Sequence, residues 1–80
     1  MELVNTEIRT YRIDKNFYFD IVTTDRDYEG WIYHREYGIK VFTCLYRREL
    51  FSFEEAEKGL LEADFEVKKA DYLNFVRCGC

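Results

Sequence analysis

Proline is absent from these 80 residues, glycine appears four times and histidine once. A chain so poor in both must punctuate itself with polar turns, and three clusters stand where turns would fall: Asp14-Lys15-Asn16, Thr24-Asp25-Arg26-Asp27 and Arg35-Glu36-Tyr37-Gly38. No apolar run approaches the ~20 residues that a bilayer-crossing helix needs. The opening "MELVNTEIRT" has neither a basic start nor an apolar stretch behind it, so it does not read as a secretion signal. Positive charge is in deficit as well. A formal net charge of -4 at pH 7 weakens the counterion-release drive toward DNA and toward anionic membrane surfaces. These absences imply a soluble, cytoplasmic protein with no membrane partner.

What is plentiful is aromatic side chain: seven Phe, seven Tyr and one Trp. Large apolar groups at this density argue against disorder, because their burial offsets chain entropy. At this length one core is the most that can be built, so residues 1–80 read as a single domain.

Between the polar clusters lie "EIRTYRI" (Glu7 to Ile13), "FYFDIVT" (Phe17 to Thr23), "YEGWIYH" (Tyr28 to His34) and "IKVFTCLYR" (Ile39 to Arg47). All are rich in β-branched and aromatic residues, which suit a pleated surface. Short connections predict a four-stranded antiparallel meander. The period then changes. Ser52 followed by Glu55 is a capping-box pattern that starts a helix at Phe53. Phe53, Ala56, Leu60, Ala63 and Val67 recur at steps of three and four, on one stripe, with Glu54, Glu55, Lys58 and Glu62 facing outward. Gly59 costs this helix about 1 kcal/mol relative to Ala. Residues 64–77 continue the helix, begin a second one at Asp64, or return as a fifth strand; a helix with a break near Asp64 is the preferred reading. The fold class is therefore α+β, a four-stranded meander followed by one or two C-terminal helices on one sheet face. Its expected core is Phe19, Ile21, Ile32, Val41, Leu45, Phe53, Leu60 and Val67.

Alternation along the strands puts apolar groups on both sheet faces. Phe17, Phe19 and Ile21 oppose Tyr18 and Val22, Ile32 opposes Trp31 and Tyr33, and Ile39, Val41 and Leu45 oppose Phe42, Cys44 and Tyr46. One helical layer covers one face, so the Tyr- and Trp-rich face is either wrapped by the C-terminal segment or left as a contact surface. In the second case the partner-binding residues are Tyr18, Trp31, Tyr33 and Lys40 with the hairpin residues Arg35, Glu36 and Tyr37, a ring-rich centre with a polar rim. The occupant would be a protein partner, a second copy in a homodimer, or, as the other class, nucleic acid. For the last, Tyr11, Tyr33, Tyr46 and neighbouring arginines would form a stacking platform. The acidic helix face of Glu54, Glu55, Glu57 and Glu62 is the competing site.

Chemistry-bearing motifs are sparse. Cys44, Cys78, Cys80 and His34 would give a Cys3His zinc set, but the terminal C-x-C is shorter than the usual C-x2-C grip, so no metal or cofactor is expected. Cys44 reads as a small buried hydrophobe and His34 as a solvated turn residue. Three cysteines leave one unpaired, which fits reduced thiols and a frayed "VRCGC" tail. That tail resembles the prenylated end of the Rab family of small GTPases over three residues, yet the phosphate loop of that family is missing. Asp20, Asp25, Asp27 and Glu29 cluster at one hairpin without EF-hand spacing, and turn formation accounts for Asp25 and Asp27. No catalytic residue emerges, and a non-enzymatic role is expected.

The stretches "FYFDIVTTDRDYEGWIYHREYGIKVF" (Phe17 to Phe42) and "SFEEAEKGL" (Ser52 to Leu60) resemble the small acidic orphan proteins of bacterial phages and conjugative elements, a group that includes anti-CRISPR inhibitors. The resemblance is one of architecture and composition and carries no functional residue across. It implies a binding protein that occupies a surface of a host protein.

Overall fold

The computed structural model of the chain describes residues 7–78, which leaves Cys80 outside the described residues. Four strands run β1 (Glu7–Arg12), β2 (Phe17–Thr23), β3 (Asp27–His34) and β4 (Lys40–Arg47), and two helices follow, α1 (Phe53–Leu61) and α2 (Phe65–Cys78). The strands pair in chain order, every pair antiparallel, as an α+β meander.

Each connection closes on the polar residues expected of it. The Asp14 carboxylate accepts the amides of Asn16 at 2.8 Å and Phe17 at 3.0 Å, an Asx-type turn. In the next turn the work falls to Thr24 rather than to Asp25 and Asp27. Its hydroxyl accepts the Arg26 and Asp27 amides and donates to the Asp27 carboxylate at 2.9 Å. Gly38 takes φ of 73° in the β3–β4 turn, a conformation that costs a side chain little only when it is missing.

The capping box forms as the sequence requires: Ser52 Oγ accepts the Glu55 amide and the Glu55 carboxylate accepts the Ser52 amide at 2.9 Å. The helix then breaks, and Asp64 caps α2 by accepting the Glu66 amide at 3.1 Å. That break re-phases the stripe. Ala56 and Leu60 are buried, but Val67, placed in the core by a continuous helical period, is 54% exposed. Tyr72 takes the central position from α2 instead, fully buried, with its hydroxyl donating to the Ile39 carbonyl at 2.6 Å.

Both helices lie on the sheet face of Phe17, Phe19, Ile21, Tyr28 and Ile32, which with Ala56, Leu60 and Tyr72 make the core. Phe65 of α2 packs edge-on against Phe19, and Phe53 of α1 edge-on against Tyr28. Gly30 leaves the gap that Phe19 and Leu60 fill, since a Cβ there would stand 2.6 Å from the Phe19 ring and 3.0 Å from Leu60.

A bulge in β4 overturns part of the expected core. Trp31 pairs with Phe42 and Gly30 with Cys44, so Thr43 is extra and the alternation changes phase there, as bulges do. Val41 is half-buried toward the helices, and beyond the bulge Tyr46 turns inward while Leu45 faces out, 42% exposed. Cys44 is exposed rather than buried. His34 is buried rather than solvated: its ring meets Phe17 edge-on at 4.9 Å, and Nδ1 accepts the Glu36 amide.

Candidate functional site: the uncovered sheet face

Because α1 and α2 share one face, the opposite face has no covering layer among the described residues. Register fixes its layout in three rows of four, one side chain per strand. Arg12, Tyr18, Tyr33 and Lys40 form the first row. The second, across the middle, is Thr10, Asp20, Trp31 and Phe42. Ile8, Val22, Glu29 and Leu45 form the third.

Rings dominate the first two rows. Tyr18 and Tyr33 stack with centroids 5.6 Å apart, and Trp31 meets Phe42 edge-on at 5.4 Å, both favoured geometries for aromatic pairs. The Trp31 indole N–H donates to the Glu29 carboxylate two residues back on β3, at 3.2 Å. Phe42, 45% exposed, and Leu45 leave an apolar patch in solvent along β4, and Ile8 is exposed separately on the opposite edge strand.

One carboxylate lies at the centre. Asp20 is 1% exposed, and its Oδ2 accepts from Lys40 Nζ at 2.8 Å. Lys40 is in the neighbouring row on the edge strand, so its chain crosses the Tyr33 ring, with Nζ 5.1 Å from the centroid. The hydrogen bond to Asp20 holds the Lys40 ammonium above the ordinary lysine range, outweighing partial burial. Burial, reinforced by the Asp20 charge, pushes the Tyr33 hydroxyl up as well. Asp20 Oδ1 is buried with no hydrogen-bond partner among the described residues.

Of the residues expected in a partner site, Tyr18, Trp31, Tyr33 and Lys40 come together on this face. Arg35 and Tyr37 of the hairpin do not join them. Tyr37 packs tilted against His34, with centroids 4.6 Å apart, toward the helix side. The Arg35 side chain reaches back to the Lys15 carbonyl, and the Glu36 amide is bound to His34. Phe42, Leu45 and Ile8 were missing from the expected set. Ile8 and Phe42 are legible from alternation alone, whereas Leu45 needs the bulge. The three-ring nucleic-acid platform is divided between faces: Tyr11 donates to Glu57 of α1 and Tyr46 packs on α1, so only Tyr33 is on the open side. Glu57 also pairs with Arg9 at 3.5 Å, which withdraws it from the acidic helix face.

A second concavity, about 330 Å³, opens between the β2–β3 turn and the end of β4, lined by Asp25, Arg26, Arg47, Arg48 and Glu49. Two of its three arginines are engaged. Arg48 is spent on the Thr24 carbonyl at 2.6 Å, and Arg47 lies 4.0 Å from Glu49. No helix among the described residues is long and apolar enough to cross a membrane. Comparison of the chain with protein-family models, with curated proteins and with solved structures returns no match.

Proposed function

We propose that this chain is a non-enzymatic protein-binding module whose contact surface is the uncovered sheet face. The observation that carries the reading is the apolar cluster of Trp31, Phe42 and Leu45 on β3 and β4, beside the stacked Tyr18–Tyr33 pair. Aromatic groups on a stiff backbone give large contact area at small entropic cost, and such groups dominate interface energetics. The surface is broad rather than cleft-like, which suits the occlusion of another protein. Inhibition or regulation of a host protein by a mobile-element product is the cellular role such a module fits, in a cytoplasmic setting. Capture from source-cell lysate with wild type, Phe42→Glu and a Glu54→Lys/Glu55→Lys pair tests this. Loss of the captured protein with Phe42→Glu alone supports the face; loss with the charge reversal alone moves the function to the acidic helix.

A second reading, single-stranded nucleic-acid binding, is favoured by the first row, where Arg12 and Lys40 flank the stacked tyrosines. Affinity for single strands that falls steeply with salt is its signature. A flat salt titration removes it.

A further inference from the structure

Asp20 poses a problem that the ring-rich surface does not explain. A buried carboxylate ordinarily satisfies both oxygens, and one left bare costs stability. Here Oδ2 has Lys40 and Oδ1 has no partner among the described residues. Lysine is a point charge that serves one oxygen at a time, whereas a guanidinium presents two parallel N–H groups that match a carboxylate. The cation now on Asp20 is also the one best placed to leave. Lys40 projects from an edge strand with 46% of its side chain exposed, against 2% for Asp20. Beside the carboxylate, the Tyr33 ring that Lys40 now crosses is a surface on which a guanidinium stacks more favourably than an ammonium.

We propose that the centre of the uncovered face is an arginine-accepting site: Lys40 fills it in the free chain, and a protein partner's guanidinium displaces Lys40 to bind Asp20 through both carboxylate oxygens. This rests on the protein-binding reading and deepens it, since it names the partner's anchor. Lys40 acts as a latch. Its charge keeps Asp20 compensated until a better-matched cation arrives, and it lowers apparent affinity by the fraction of time the site is closed, so a site open a tenth of the time binds about tenfold more weakly. It also selects, because a lysine from a partner gains nothing that Lys40 does not already supply.

The probe is N-acetyl-arginine methylamide, with the lysine analogue as control, followed by the indole resonance of Trp31, the one tryptophan of the chain. Wild type is expected to bind the arginine probe weakly and the lysine probe more weakly still. Lys40→Met should raise affinity for the arginine probe by about tenfold or more, and Asp20→Asn should abolish the response. Equal response to both probes, or a response that survives Asp20→Asn, overturns the proposal. If Lys40→Met loses its cooperative melt, the wild-type response and its loss in Asp20→Asn carry the decision. Sedimentation equilibrium without any probe covers the remaining occupant: self-association that Asp20→Asn removes would assign the site to a second copy and overturn the foreign partner. Capture of a partner that depends on Phe42 but is unchanged by Asp20→Asn ends the arginine assignment and leaves the protein-binding reading standing. Capture indifferent to both ends both.

Discussion

The Tyr46 side chain lies against the backbone of Gly59, with the ring where a Cβ on that residue would have to go: the ring carbon bearing the hydroxyl would be 2.6 Å from it. This contact joins the end of β4 to the last turn of α1. It also reverses the expected meaning of the glycine, which is a cost to the isolated helix and a requirement of the packed one.

Gly59→Ala should therefore destabilise the protein. Helix propensity alone favours alanine by about 1 kcal/mol, but overpacking against a ring held by neighbouring side chains costs about 1–3 kcal/mol. Urea unfolding checks the sign, and a stabilised variant would mean that Tyr46 moves aside freely.

Leu60 and Leu45 are the same residue type on opposite sheet faces, one buried under Gly30 and one in solvent. Leu60→Ala should cost about 2–5 kcal/mol. Leu45→Ala should stay within about 0.5 kcal/mol. Chemical denaturation of the two variants measures the bulge directly, because without it Leu45 would face the helices.

The Tyr72 hydroxyl ties α2 to the start of β4 through Ile39. Tyr72→Phe keeps the ring packing on Phe17 and should lose only about 0.5–1.5 kcal/mol. Amide exchange should rise chiefly along α2 and at the β3–β4 turn.

Lys69 Nζ reaches Asp14 at 2.8 Å, fastening α2 to the β1–β2 turn. The hydrogen bond from Lys69, with the turn amides, lowers the Asp14 pKa from 3.8 to about 2. A folded-state pKa below the unfolded one means that the ionised form favours folding. The contribution is thus complete above the unfolded value and fades as pH falls toward about 2. Asp14→Asn should be less stable than wild type at neutral pH, and the gap should narrow in melts taken on descending through pH 4 to 2.

Legibility in the sequence followed the range of the interaction. The turn at Asp14, the Ser52–Glu55 cap and the strand limits are local, with partners within a few residues; the first two read correctly and the limits to within one residue. The side chains of Tyr18, Trp31 and Tyr33 also fell on the right face, because alternation holds through β2 and β3. Errors began where phase depends on another element. The bulge at Thr43 exchanged Leu45 for Tyr46, and the break before Asp64 exchanged Val67 for Tyr72. The bulge leaves no mark on composition; the break near Asp64 was expected, but the stripe was carried across it unshifted, which put Val67 where Tyr72 stands. The Asp20–Lys40 pair was equally hidden: its members are twenty residues apart and diagonal across the sheet. His34 was misjudged for a related reason, since its burial comes from Phe17 on the adjacent strand.

A meander followed by helices has a temporal side. Every sheet pairing joins sequence neighbours, and such low contact order favours rapid folding. The long reaches come last, Tyr72 to Ile39 and Lys69 to Asp14, the latter across 55 positions. During N-to-C synthesis the sheet is complete at Arg47 while neither helix yet exists. Phe17, Phe19 and Ile21 then stand bare on one side, with Trp31 and Phe42 on the other, a two-sided sticky ribbon of the kind that aggregates. The C-terminal third thus serves as the cover the nascent sheet waits for, and chains halted before Phe65 should accumulate as insoluble material rather than as a smaller stable domain.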